Sequence, residues 1–189
     1  MEKKLEEIAM GEVEKLEKSE LGYNLSRHIP LAYLLGNAVF RPIIEHGQNT
    51  IDYYSQSPLT GTLALVGLGL AAAGTFLKGL NDISEMQTII EGEMVEEGQY
   101  GSCRNPCYYA QNLIASGAAL ANPSFDSLAV LGAYFGFTEK CIDKEEEKNL
   151  IKFGDKFQQY IEKVPRWPRI KDTAKYFSKS FSVLNGGQV

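Results

Sequence analysis

The sequence predicts an all-α fold: a small integral-membrane helical bundle with about four membrane-embedded helices. Three observations predict it. The stretch from Tyr53 to Leu77 contains no Asp, Glu, Lys or Arg. Two further charge-free stretches flank the turn signal Asn122-Pro123-Ser124 and read as a helical hairpin. The charged ends place apolar residues three to four apart, the period of an amphipathic helix.

Whole-chain averages conceal this pattern. The chain has 189 residues, a net charge of -5 and 23% charged residues, and its mean hydropathy is -0.20. Taken alone, those values describe an ordinary soluble domain. They exclude a disordered chain, a collagen-like chain and a disulfide scaffold. A pI near 5.2 argues against a general nucleic-acid binder, so no nucleic-acid partner is expected. The charges, however, are collected at the two ends and in one acidic loop.

Residues 1–27 form the first region. Met1 to Leu21 is densely charged, and Leu5, Ile8, Ala9, Val13 and Leu16 follow helical spacing, so an amphipathic N-terminal helix is expected. It lacks the apolar core of a signal peptide. Residues 28–80 form the membrane helices. Ile29 to Phe40 is a short apolar stretch that Pro42-Ile43-Ile44 extends. Leu59 to Leu77 has the length a bilayer demands, about 20 apolar residues, and its Gly, Ala and Thr content permits close helix packing in lipid.

Residues 81–189 form the third region. An acidic loop from Asn81 to Cys103 carries Asp82, Glu85, Glu91, Glu93, Glu96 and Glu97 without a Lys or Arg. The hairpin follows, with Tyr108–Ala121 as one arm and Phe125–Ile142 as the other. A second amphipathic helix is expected to start at the acidic run Asp143-Lys144-Glu145-Glu146-Glu147 and to continue through Leu150, Phe153, Phe157, Tyr160 and Ile161. Residues 140–189 hold 11 of the 19 Lys and Arg. The positive-inside rule therefore places this end, and the feet of the hairpin, in the cytoplasm.

Few residues suggest chemistry. His28 and His46 have no second ligand pattern near them, so no metal is expected. Cys103 and Cys107 are four apart, which is not a zinc or redox C-x-x-C, and the three cysteines are read as free thiols. Two passes before the acidic loop would put the N-terminal region on the cytoplasmic side as well, and the glycosylation sequon Asn24-Leu25-Ser26 falls there. No P-loop, G-x-S-x-G or G-x-G-x-x-G occurs.

Two clusters stand out. One is Gly98-Gln99-Tyr100-Gly101-Ser102-Cys103-Arg104-Asn105-Pro106-Cys107-Tyr108, ahead of the hairpin. Asn105 suits the N-cap and Pro106 the first turn of a helix. Arg104 beside that helix N-terminus would make an anion site. The other is the acidic run with Glu145 and Glu146. A hairpin brings its feet together, so Arg104 and Tyr108 are expected to meet Glu145 and Glu146. An anion clamp facing paired carboxylates suits a ligand that carries both signs.

Together the clusters resemble the isoprenylcysteine carboxyl methyltransferase and phospholipid methyltransferase superfamily. Its pattern is G-x-Y-x-x-x-R-H-P-x-Y, a short hydrophobic hairpin, E-E, then F-G-x-x-(Y/F)-x-x-Y and V-P-R. The matching residues are Gly98, Tyr100, Arg104, Pro106 and Tyr108; Glu145 and Glu146; Phe153, Gly154, Phe157 and Tyr160; and Val164, Pro165 and Arg166. The match covers roughly residues 95 to 170. The family His is Asn105 here, which can hydrogen-bond but cannot carry a proton charge.

The resemblance implies an enzyme that takes S-adenosylmethionine at the cytoplasmic end of the hairpin. Tyr100, Arg104, Asn105, Pro106, Tyr108, Glu145 and Glu146 would bind it, with Arg104 and Glu146 catalytic. The glutamates would hold the ammonium or the ribose hydroxyls, Arg104 would face the carboxylate, and the tyrosines would flank the adenine or the sulfonium. The acceptor would be a lipophilic small molecule or a prenylated substrate, reached from the lipid bilayer. Two alternatives remain. One is an NADPH-dependent membrane reductase of related fold, disfavoured by the lack of extra basic residues for a 2′-phosphate. The other is a non-catalytic membrane scaffold, which the Asn105 replacement favours.

Overall fold

A computed structural model describes residues 28–41, 57–91 (side chains as far as residue 82), 94, 96, 98–169, 176, 178 and 179. The expected N-terminal amphipathic helix, Asn24, Ile43, Ile44 and His46 lie outside the described residues. Every regular element among the described residues is helical. They are α1 (28–41), α2 (Pro58–Glu91), a 3-10 turn (Gly98–Gly101), α3 (Pro106–Ala121), α4 (Phe125–Phe153) and α5 (Asp155–Lys163).

Local chemistry sets the boundaries. Ser57 caps α2: the Thr60 N–H donates to its Oγ at 3.1 Å, and Pro58 takes the first helical position. Ser124 caps α4 in the same way, accepting the Ser127 N–H at 3.2 Å. Gly154 separates α4 from α5 with φ 54° and ψ -129°, a backbone conformation that disfavours any side chain. Its N–H closes α4 on the Leu150 carbonyl, and its carbonyl accepts the Gln158 N–H to open α5.

Two expectations are corrected. The stretch after Leu80 is not a loop as far as Cys103; α2 continues to Glu91. The acidic run does not begin a new helix either; Asp143 to Glu147 lie in the interior of α4, which runs unbroken from Phe125. The physical reason is shared. No Gly or Pro occurs between Leu80 and Glu91, and none between Phe137 and Phe153. Glu and Lys are good helix formers, and Lys144 pairs with Glu147 one turn on at 2.9 Å.

The chain forms two compact units, interleaved in sequence. The hairpin unit draws on Ser26–Gly79 and Cys107–Gly136. In it α2 and α3 pack backbone against backbone. A Cβ at Gly67 would lie 2.5 Å from the Ala121 nitrogen and the Gly117 oxygen, and one at Gly74 would lie 2.6 Å from the Ala110 oxygen. Only glycine permits this approach, the small-residue packing familiar from helices in lipid. Leu34, Ala115, Ala118, Ala119 and Tyr134 form the unit's core. Asp126 ties α1 to the start of α4, accepting from Tyr33 Oη at 2.6 Å, Asn37 Nδ2 at 3.2 Å and Arg41 Nη1 at 3.1 Å.

One stretch among the described residues, Pro58–Asp82 of α2, is long and apolar enough to cross a membrane. Its 25 residues span about 38 Å at 1.5 Å per residue, against a hydrocarbon core of about 30 Å. The hairpin's first arm, α3, has 16 residues, about 24 Å, and is shorter than that core.

The ionic unit draws on Leu80–Pro106 and Phe137–Val189. Phe157, Tyr160 and Val164 form a small core with Met94, Phe153 and Ile161 packed against it. The Tyr160 hydroxyl donates to the Tyr100 carbonyl at 2.8 Å, which fixes α5 to the 3-10 turn.

Candidate functional site

The ionic unit holds an ion-pair cluster built from three segments. The link before α3 supplies Arg104 and Asn105, α4 supplies Glu139, Asp143 and Glu146, and the chain after α5 supplies Arg166. The three acids are four and three residues apart, so they share one face of α4.

Arg104 Nε donates to Glu146 Oε1 at 3.1 Å and Nη2 to Glu146 Oε2 at 3.5 Å. Its Nη1 donates to the carbonyls of Ile161 at 3.1 Å and Val164 at 2.8 Å. These are carbonyls at the C-terminal end of α5, where intrahelical donors run out and a cation is favoured. The Arg104 backbone N–H donates to the Pro165 carbonyl at 2.9 Å. Arg104 is therefore engaged on every side, and its side chain is only 11% exposed.

Glu146, at 14% side-chain exposure, is likewise surrounded. Asn105 Nδ2 donates to its Oε1 at 3.3 Å, and Arg166 Nη2 donates to its Oε2 at 2.6 Å, short as charge-assisted bonds are. Arg166 Nη1 reaches outward to Asp143 at 2.9 Å and Glu139 at 3.1 Å. Burial works against the charged guanidinium of Arg166, but the hydrogen bonds and charges of Glu146 and Asp143 outweigh it and push its pKa up. Three carboxylates thus meet two guanidiniums, and the half-exposed Glu139 and Asp143 form the outer edge.

The expected meeting of Arg104 with Glu146 is present. Glu145 is half-buried beside Glu146. Pro106 opens α3 and is fully buried; its carbonyl accepts the Tyr176 hydroxyl at 3.5 Å. Tyr100 sits in the 3-10 turn, bonded through its carbonyl to Tyr160. Tyr108 is buried on α3 and belongs to the hairpin unit. One expectation is corrected: Arg104 does not make an anion site at the α3 N-terminus. Its donors are taken by a carboxylate and by helix-end carbonyls, which are stronger partners than a site already rich in N–H groups.

Two features were missed in the sequence. Arg166 is the second cation of the cluster, and Glu139 and Asp143 join it. The signal was the spacing of Glu139, Asp143 and Glu146, which has meaning only once α4 is known to be continuous. The second feature is a set of buried polar atoms with no hydrogen-bond partner: both side-chain atoms of Asn81, Ser102 Oγ and Thr138 Oγ1. Each such group costs about 1–3 kcal/mol if left unsatisfied.

Cys103, Cys107 and Cys141 are in no disulfide. Cys103 is fully buried and donates to the Arg166 carbonyl at 3.3 Å. Burial pushes its thiol up from the usual 9.0 to about 12, against the pull of the Asn105 N–H and of Arg104. Burial also raises the Tyr160 phenol. Neither is poised to act as a nucleophile or base near neutrality.

No family model, curated protein or solved structure matches the chain.

Proposed function

We propose that the protein is a membrane methyltransferase that uses S-adenosylmethionine and acts on a lipophilic acceptor from the cytoplasmic side of a bilayer. One observation carries this reading: Arg104, Asn105 and Glu146, some 40 residues apart in sequence, are bonded to one another. The charge balance supports it. With three acids against two guanidiniums, the cluster has room for one further cation, which the ligand's ammonium supplies.

When bound, S-adenosylmethionine supplies a methyl group already activated by the sulfonium. The protein's task is then alignment. Glu146 and Asp143 hold the ammonium, and Arg166, which straddles both, turns to the ligand carboxylate. Arg104 is a positioning residue: it orients Glu146 and ties the end of α5 to the link before α3. Tyr100, Asn105, Pro106 and Glu145 complete the binding set. A carboxylate acceptor needs no base, whereas an amine or thiol acceptor must lose a proton.

Membrane residence is supported by α2 and by the large apolar side chains the hairpin unit exposes, among them Ile29 at 74%, Leu65 at 73% and Phe125 at 89%. The proposal places α1, α2 and both hairpin arms in the bilayer. The basic C-terminal region supports the cytoplasmic orientation. The test is transfer of labelled methyl from S-adenosylmethionine into a membrane lipid extract or a prenylated cysteine. Transfer by the wild type and its loss in Glu146→Gln is the expected result; no transfer to either acceptor counts against the reading.

A non-catalytic scaffold is the second reading. The full engagement of Arg104 and Glu146 favours it, because an ion-pair cluster also serves simply to tie three segments together. On that reading the wild type binds no S-adenosylmethionine.

A further inference from the structure

The helices of the hairpin unit do not share one apolar length. In α1 the charge-free run between His28 and Arg41 is residues 29–40, and in α4 the run between Asp126 and Glu139 is residues 127–138. Each is about 18 Å long at 1.5 Å per residue. In α2 the charge-free residues 58–77 extend about 30 Å. A hydrocarbon core of about 30 Å is therefore matched by α2 and not by α1 or α4.

The two short runs form one wall. Arg41, at the end of α1, pairs with Asp126, at the start of α4, at 3.1 Å. Leu31 and Leu34 share a core with Val130, Leu131 and Tyr134. On the outside of this wall Val39, Phe40, Leu128 and Phe135 are exposed. Its upper edge is polar: Asp126 accepts from Asn37 as well as Arg41, and Asn122 donates to the Asn37 carbonyl at 3.2 Å. The excess length of α2 lies at that edge. Gly67 faces Gly117 and Ala121 in the last turn of α3, whereas α2 starts at Pro58, about 14 Å further along. Leu59 and Leu65 are exposed on this projecting part.

We propose that the hairpin unit thins the bilayer on one side. Acyl chains cover the α1–α4 wall, and the headgroups of the leaflet at the hairpin tip descend to the Arg41–Asp126 pair, while α2 keeps the full thickness. A hydrophobic run shorter than the membrane is accommodated by thinning, by snorkelling or by oligomerising. Asp126 holds the Arg41 guanidinium in place, which limits snorkelling. A second copy seated on the wall would leave the partly exposed ion pair within hydrocarbon, where charge is costly. The inference rests on the membrane placement proposed above and not on methyl transfer; it names the lipid partner as a bilayer thin around α1 and α4.

The experiment reconstitutes the full chain into vesicles of dimyristoleoyl, dioleoyl or dierucoyl phosphatidylcholine, a series of increasing chain length. Flotation, chemical cross-linking and thermal melting are recorded for wild type, Leu128→Lys and the double variant Arg41→Gln/Asp126→Asn. The wild type is expected to melt highest in the shortest lipid and at least about 5 °C lower in the longest, because each ångström of mismatch is unfavourable. The double variant removes both charges but keeps hydrogen-bonding groups, and its fall with chain length should be less than half that of the wild type. Leu128→Lys shortens the wall from an exposed position and should steepen the fall; it decides the matter if the double variant does not fold. Wild-type melting that ignores chain length, or that is highest in the longest lipid, overturns the proposal while the membrane placement stands. A cross-linked dimer with no chain-length dependence also overturns it and gives the wall to a second copy. If the wild type floats with none of the three lipids, the membrane placement falls as well.

Discussion

The two units solve the problem of holding helices together in opposite ways. In the hairpin unit, α2 and α3 meet through Gly67, Gly74, Ala110 and Gly117, with backbone atoms as the contact surface, and large apolar side chains face outward. In the ionic unit, an aromatic cluster and a net of charge-assisted bonds join three segments. The difference teaches where chemistry is affordable. The contact between α2 and α3 uses small side chains and backbone, whereas the ionic unit concentrates carboxylates and guanidiniums.

The comparison is broken most severely at the glycine contact. Gly67→Leu places side-chain atoms where the Ala121 nitrogen now lies, and is expected to cost at least about 3 kcal/mol, the upper range for overpacking. Loss of the folded band in thermal melting of detergent-solubilised protein would show it. Gly69, where a Cβ meets nothing within 4 Å, is the control; Gly69→Ala should not be destabilising.

Arg104→Ala comes next. It strips Glu146 of one partner and removes the donor that Arg104 gives to the Ile161 and Val164 carbonyls. Because Arg166 and Asn105 still hold Glu146, a loss of about 2–3 kcal/mol is expected, below the 3–5 of a fully orphaned buried ion. Denaturant melts of Arg104→Ala and Arg104→Lys would check it; lysine cannot reproduce the forked geometry and should recover only part of the loss.

The Cys103 thiol gives a pH-dependent test. Its folded pKa, about 12, lies above the usual 9.0, so the folded state holds the proton more tightly. Its contribution to stability is intact below pH 9 and declines as pH rises from there towards 12. Alkylation by iodoacetamide at pH 8.5 should spare Cys103 in the native protein and modify it after unfolding, as mass mapping would reveal. Smallest of all is Lys156→Ala. Its pair with Glu96 at 3.2 Å is solvent-exposed, and stability should change by no more than about 1 kcal/mol.

Much of this architecture was legible in the sequence, and the exceptions have physical causes. The hairpin was read from Asn122-Pro123-Ser124, and Ser124 indeed caps α4. Arg104 was expected to meet Glu146 because a turn between antiparallel helices returns the chain. The extent of α2 and α4 was not legible from charge alone. Composition changes sharply at Lys78 and at Asp143, but a helix does not end where its side chains turn polar; it ends at Gly154, where φ is positive. The partners of Arg104 were hidden for a similar reason. The α5 carbonyls that hold it are backbone groups, which carry no side-chain signature. Asn81 read as the start of an acidic loop, and only its burial marks it out.

The central claim is that the Arg104–Glu146–Arg166 cluster binds the cationic end of S-adenosylmethionine. The most direct measurement is calorimetric titration of S-adenosylhomocysteine into wild type and Glu146→Gln, with folding of both checked by melting. The account predicts saturable one-site binding by the wild type and at least about tenfold weaker binding by the folded variant, the scale of a lost ion pair to a buried charge. Absence of binding by the wild type, or equal binding by the two proteins, would contradict it.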